Sequence, residues 1–252
     1  MNRIDHILLK TDDLHKAVQD FEAAGFKVFY GSPKERAHNA LVYLQDHSFI
    51  ELLRTTVIPS YGRALAKWGI LKLISPMFHR FAYYYFNEGP IVDFAIYSTQ
   101  IADFHQRVRK ESSSLATNFK REKPNGTTVR WKLFTPKNED FPFVMSDYTP
   151  EKMSSDETNI HPNGITGIQR LEIDVGGDID QFRGALQQYY GVGEERLKRT
   201  EEGFEVRTEN ATLVYRRADT YKIRQLVLSP SNKMVEERLR GYGIRTAGEK
   251  NN

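Results

Sequence analysis

Ionisable side chains sit inside three otherwise apolar, β-prone runs of this 252-residue chain: Asp5 and His6 within Ile4–Lys10, Glu51 within Phe49–Leu53, and Asp93 within Ile91–Tyr97. Imidazole and carboxylate groups exchange protons, coordinate divalent metals, or hydrogen-bond one another so that none is buried unpaired. Strand alternation directs His6 to the face that Ile4 and Leu8 share. Other side chains offer ligand contacts. Asn39 precedes a β-prone run, where its amide can bond a ligand or cap its own loop, and Tyr43 and Trp131 offer aromatic walls or core. Lys34 and Arg36 offer charge to a carboxylate or are simply solvated.

Several chemistries are excluded. The absence of cysteine rules out disulfides, thiolate metal sites and cysteine nucleophiles. Gly176-Gly177 lacks the further glycines of a phosphate-binding loop and reads as a turn, and no serine-hydrolase elbow is present. With 36 basic and 33 acidic residues the net charge is +3, too balanced for a nucleic-acid partner. The N-terminus, Met1 to His6, is charged where a secretory signal would be apolar, and the most apolar stretch, Trp68 to Phe78, is interrupted by Lys72 and Pro76. A cytoplasmic protein without a membrane partner is expected.

Positioning such groups takes regular elements, and the chain repeats one set of them. Ile4–Lys10, Ile91–Tyr97 and Ile168–Asp174 align without gaps and read as first strands. A one-faced helix follows each: Leu14, Val18, Phe21 and Ala24 in the first copy; Ile101, Phe104, Val108 and Leu115 in the second; Ile179, Phe182, Leu186 and Tyr189 in the third. Gly25 and Gly191 close the first and third helices, and Asp13, Asp103 and Asp178 favour the starts. Short strands complete the units at 27–30, 40–44 and 49–53, then 118–121, 128–134 and 141–145. The third copy offers 196–199, 205–208, 212–216 and 223–228, one strand more than the pattern requires. The fold class is therefore α+β, with repeated βαβββ modules forming curved mixed or antiparallel sheets and a helical insertion.

The expected organisation is one domain over 1–150, made of modules 1–56 and 90–148 around an insertion at 57–89. That insertion reads as a helix broken at Ser75-Pro76 and a second helix through Tyr83-Tyr84-Tyr85-Phe86, serving as a lid on the cup or as a dimer interface rather than lying on a membrane surface, because Lys67, Lys72 and Arg80 form no dense basic face. A Ser-, Asp-, Asn- and Pro-containing linker at 151–164, a third module at 165–230 and a tail at 231–252 complete the chain.

Asp5-His6 on a first strand, Phe49-Ile50-Glu51-Leu52 on a fourth, Asn87-Glu88-Gly89-Pro90 before the second module, Val129 to Phe134 and Phe141 to Met145 within it, and His161-Pro162-Asn163-Gly164 before the third together resemble the vicinal-oxygen-chelate superfamily, and within it the glyoxalase-like domain family. The resemblance implies that paired modules form a cup whose first and fourth strands bind a divalent metal, zinc, iron, manganese or nickel. It places the metal ligands at His6, Glu51 and Asp93, with Met145 or Ser146 at the fourth position and Arg170 in place of a ligand in the third module. Asn39, Tyr43 and Trp131 are the expected substrate contacts. Two functions stay open: a metal-dependent isomerase, lyase or dioxygenase acting on a small oxygenated substrate, and a non-catalytic protein that binds or sequesters a small molecule. An odd module leaves an uncovered sheet edge and face, so a homodimer is expected.

Overall fold

The computed structural model describes residues 3–55, 60–71, 76–112, 117–122, 126–150 and 156–248. The first module runs β1 (Ile4–Thr11), α1 (Leu14–Ala23), β2 (Phe29–Tyr30), β3 (Asn39–Tyr43) and β4 (Phe49–Arg54). Asp13 caps α1 by accepting a bond from the Lys16 backbone N–H, and Leu14, Ala17, Val18 and Phe21 form its buried face. Gly25 takes the left-handed conformation expected of a residue closing this helix, with φ +79°. The insertion carries α2 (Ser60–Lys67), α3 (Pro76–Tyr83) and a 3₁₀ turn over Tyr84–Phe86. The break expected at Ser75-Pro76 involves Ser75, which lies outside the described residues. The second module follows with β5 (Ile91–Tyr97), α4 (Ile101–Arg107), β6 (Thr117–Glu122), β7 (Thr128–Phe134) and β8 (Phe143–Met145). Leu115, expected on its helix, also lies outside the described residues.

These strands form one sheet in the order β2-β3-β4-β1-β5-β8-β7-β6. Each half reads first, fourth, third and second strand outward from the centre. The centre is an antiparallel pair in which His6 faces Ala95 and Leu8 faces Asp93. That register makes Asp93 the two-fold counterpart of His6 and Ala95 that of Leu8, as the gapless alignment of the two first strands requires.

The short helix α5 (Asp156–Asn159) leads to β9 (Gly167–Gly176), α6 (Ile179–Tyr190), β10 (Leu197–Arg199), β11 (Gly203–Arg207) and β12 (Thr212–Ala218), the third module. The strand that exceeded the pattern is β13 (Lys222–Ser229). Helix α7 (Lys233–Leu239) and β14 (Ile244–Thr246) follow it, where a tail was expected. The second sheet is ordered β10-β11-β12-β9-β13-β14, with β13 antiparallel to β9 and parallel to β14. These are the relations that β5 bears to β1 and β8. Residues 222–246 are thus the opening of a fourth module, shortened after its first strand, helix and one further strand. The third module finds its partner within the chain, so an unpaired module gives no reason to require a second copy.

The helix-bearing faces of both sheets share one continuous core that includes Ile7, Phe21, Phe134, Leu171, Phe182 and Tyr215. Cross-links fasten the halves. Asn210 bonds both the N–H and the C=O of Ile4, and Tyr242 donates to Asp20 at 2.7 Å. His161 accepts from the Lys27 N–H through Nδ1 at 3.1 Å and donates to the Tyr43 carbonyl through Nε2 at 2.7 Å. Asn163 donates to the Ala24 carbonyl at 2.8 Å. The His161-Pro162-Asn163-Gly164 tetrad is therefore a latch holding the segment before the third module to the first. The opposite face of the first sheet carries a separate apolar cluster, with Leu8, Ala95, Leu133 and Phe143 beneath Met77 and Tyr84 of the insertion.

Candidate functional site

That second face curves into a cup of about 390 Å³. Alternation places His6 and Leu8 of β1, Leu41 of β3, Glu51 and Leu53 of β4, and Phe143 and Met145 of β8 on its wall. Phe119 and Trp131 add stacked rings 5.7 Å apart, Tyr148 lies beside Trp131, and Phe81 reaches in from α3. A second cavity of about 500 Å³ lies between α4 and α6, lined by three cations, Arg107, Lys110 and Lys137, and one acid, Glu111, beside Phe141 and Tyr189.

The polar side chains lining the cup include His6, Asn39, Glu51, Arg54 and Thr55. The His6 Nδ1 lies 2.7 Å from Asp5 Oδ2 and its Nε2 lies 3.7 Å from Glu51 Oε2. Asn39 donates to Glu51 Oε1 at 2.6 Å. The imidazole stacks on Phe49 at 4.4 Å and meets the edge of Phe143 at 5.4 Å, which fixes its plane. In the tautomer that carries its proton on Nδ1 and donates to Asp5, Nε2 is an acceptor facing the cup. The sheet thus brings His6, Glu51 and Asn39 together at the cup.

Asp93 shares their sheet face but is already spent. Arg80 of α3 donates to its carboxylate through Nε at 2.6 Å and Nη2 at 2.7 Å, and the same Nη2 reaches the Phe141 carbonyl at 2.7 Å. The Tyr84 hydroxyl and the Phe94 N–H also donate to it. Arg80 is 6% exposed and Asp93 3%. Burial by itself would lower the guanidinium's pKa, yet the Asp93 charge and hydrogen bonds hold it well above its ordinary value. Burial, and next the Asp93 charge, push the Tyr84 hydroxyl well above its usual range, so it remains a donor.

The fourth position differs from expectation. Leu8 faces Glu51 on β4, and Ala95, its two-fold counterpart, faces Phe143 on β8. Phe143 therefore stands where Met145 or Ser146 was expected, and Ser146 instead bonds the backbone of Lys132 and Asp147. Of the four positions that would ligate a metal, two keep a donor facing the cup, one carboxylate is neutralised by a buried guanidinium, and one is a phenyl ring. Among the described residues no three His, Asp or Glu side chains are grouped to hold a metal ion. The donor set expected at His6, Glu51 and Asp93 does not fit a divalent metal. In the third module Arg170 pairs with Glu172 at 2.8 Å, as a cation at that position requires.

Trp131 lines the cup. Tyr43 does not: it lies beyond Phe49, in a cluster with Leu41 and Phe29. Arg80 was missed as a site residue, although the sequence carries a signal for it. It stands among Met77, Phe81 and Tyr84 at helical spacing, a charge on the apolar stripe of its own helix.

A family model described as a glyoxalase-like domain matches residues 4–190. No curated protein matches the chain in sequence. Among solved structures, a hypothetical protein from Staphylococcus aureus is 13% identical, with a TM-score of 0.59 over 90% of this chain and 92% of its own. A mutant of 4-hydroxymandelate synthase from Streptomyces coelicolor is 10% identical, with a TM-score of 0.54 over 96% of this chain and 74% of its own. A xylose isomerase-like TIM barrel/4-hydroxyphenylpyruvate dioxygenase fusion protein is 10% identical, with a TM-score of 0.52 over 96% of this chain and 38% of its own. Likeness at these identities is likeness of fold.

Proposed function

The chain belongs to the glyoxalase-like domain family, with the vicinal-oxygen-chelate fold, and from that premise we propose that it is a small-molecule-binding member whose cup works without a chelated metal. The observation that carries this reading is the Arg80–Asp93 ion pair. A permanent cation of the protein's own neutralises the carboxylate that the family resemblance assigns to the metal, and a second cation beside it would be repelled. The rest of the cup has the composition of an organic-ligand site, apolar and aromatic walls with a few convergent polar groups.

Its chemistry defines the ligand class. The Trp131–Phe119 stack and the Phe81 and Phe143 rings suit a flat, largely apolar body. His6 Nε2 accepts a hydrogen bond from a hydroxyl, and the Asn39–Glu51 pair adds both a donor and an acceptor. An aromatic or alicyclic molecule bearing one hydroxyl matches this set. Metal-dependent isomerase, lyase or dioxygenase chemistry is not supported by the donors present.

Trp131 reports occupancy directly. In a Trp68→Phe background, which leaves Trp131 as the only tryptophan, titration with hydroxylated ring compounds such as naphthols should quench or shift its fluorescence with a saturable isotherm. His6→Ala and Glu51→Ala should weaken binding about ten-fold, the loss of a hydrogen bond in a desolvated site. Binding unchanged in both variants, or no saturable binding of any hydroxylated ring compound, contradicts the reading.

A further inference from the structure

We propose that the cavity between α4 and α6 binds a small molecule that carries a carboxylate on a flat apolar ring. The inference concerns a site apart from the cup and does not depend on how the cup is read. The cavity holds about 500 Å³, the size of an organic-ligand site, and lies where the second module meets the third, the kind of junction at which such sites form.

Its floor is built from both modules. Ala185, Gln188 and Tyr189 share one face of α6 at helical spacing, and Tyr189 packs against Phe141 of the second module with ring centroids 5.7 Å apart. The Tyr189 hydroxyl lies 3.1 Å from Ser112 Oγ, which itself donates to the Val108 carbonyl, so the far end of the ring is held as well. Val108 and Pro136 extend this apolar floor, which suits the face of a ring.

The charges on the lining select the head group. Cations outnumber acids three to one, with Arg107, Lys110 and Lys137 against Glu111. Among the described residues none of the three cations pairs with a carboxylate, Glu111 included, whereas Arg80 and Arg170 each have one. Two of the three are held in place. The Arg107 guanidinium stacks over Phe104 at 4.8 Å, and it lies so close to Gly191 that a Cβ there would come to 3.0 Å from Nη1. Lys137 donates through Nζ to the Lys110 carbonyl at 2.5 Å, and its backbone N–H donates to the Glu111 carbonyl at 2.8 Å, which fastens its turn to the one after α4. Asn138 accepts from the Asp140 N–H through Oδ1 at 3.0 Å, which leaves its NH2 group as a further donor. Guanidinium, ammonium and amide donors beside an apolar floor match a carboxylate borne on a ring. A cationic ligand would be repelled, and an uncharged one forgoes the charge-assisted bonds.

The test is isothermal titration of the full chain with naphthoate, beside its uncharged counterpart naphthol. The wild type should bind naphthoate with a saturable isotherm, and raising the salt from about 20 to about 300 mM should weaken it, because exposed charges are screened. An exposed cation strengthens such a contact by up to about five-fold, so Arg107→Gln with Lys137→Gln should weaken naphthoate on the order of ten-fold. Ala185 is exposed on α6, so Ala185→Trp should fill the cavity and abolish naphthoate binding with the thermal midpoint preserved. His6→Ala, in the cup, should bind naphthoate as the wild type does, and the affinity for naphthol should be the same in the wild type and in both cavity variants. No saturable binding of naphthoate, binding undiminished in the double variant and in Ala185→Trp, binding that falls in His6→Ala, or an equal fall for naphthol in the double variant would each overturn the proposal.

Discussion

Replacing Arg80 with Met tests whether the insertion is locked to the cup by charge. Asp93 is 3% exposed, and after the change its carboxylate keeps only the Tyr84 hydroxyl and the Phe94 N–H as donors. Breaking a buried ion pair by removing one partner costs about 3–5 kcal/mol, because the other charge is left uncompensated. Asp93→Leu strands the guanidinium in the same way and costs a similar amount. The double variant strands no charge. It leaves the Tyr84 hydroxyl, the Phe94 N–H and the Phe141 carbonyl without these partners, about 1–3 kcal/mol for each group left unsatisfied, and is otherwise an apolar repacking. Those hydrogen-bond losses recur in the single variants and cancel in the cycle, so the coupling is the stranded-charge penalty, at least about 3 kcal/mol. Arginine keeps its proton throughout the folding range, so a pH change does not relieve the Asp93→Leu loss. Urea unfolding of the four proteins, with slopes checked for constancy, measures the cycle. A coupling below about 1 kcal/mol, or a double variant less stable than either single one, would refute the claim that the pair acts as a unit.

Three further outcomes are expected. Burial lowers the pKa of His161, against the raising effect of its bond to the Tyr43 carbonyl, and Nδ1 must stay unprotonated to accept from Lys27. Its folded pKa is depressed, so its contribution is complete above the unfolded value of about 6.5 and is lost as pH falls through the lower folded value. Urea midpoints should decline on acidification below pH ~6.5 and decline less in His161→Gln; equal slopes in both proteins would count against the latch. Asn39→Ala should weaken binding in the cup by about ten-fold while costing at most about 1 kcal/mol of stability, and fluorescence titration beside urea unfolding separates the two effects. The Tyr97 hydroxyl is pushed up to about 12 by burial and by its bond to Asp147. Its stabilisation is complete below pH ~10 and disappears as pH rises through the folded value, and Asp147→Asn should bring the phenolate absorbance titration to lower pH; an unmoved titration would exclude the bond.

The sequence made the paired first strands legible because alternation and β propensity act over seven residues at a time. The gapless match of Ile4–Lys10 with Ile91–Tyr97 carried through to the register in which Leu8 faces Asp93. Strand β8 has only three residues and follows an irregular approach, so its inward position could not be fixed by periodicity, and Phe143 was passed over for Met145 or Ser146. The fourth module was hidden for a similar reason: α7 spans seven residues and β14 three, below the length at which periodic patterns stand out. His6 was reached through strand alternation and residue type, and Glu51 and Asn39 through the family resemblance; with Trp131 they line the cup. The fate of Asp93 depends on a residue 13 positions earlier, on a helix outside the repeat, and no pattern within the modules announces that contact.

Isothermal titration of the purified protein with zinc, iron(II), manganese and nickel, beside His6→Ala and Glu51→Ala, bears most directly on the reading of a cup whose third ligand position is filled by an ion pair. The expected result is no one-to-one binding that depends on His6 and Glu51. One equivalent of metal bound tightly by the wild type and lost in both variants would contradict it.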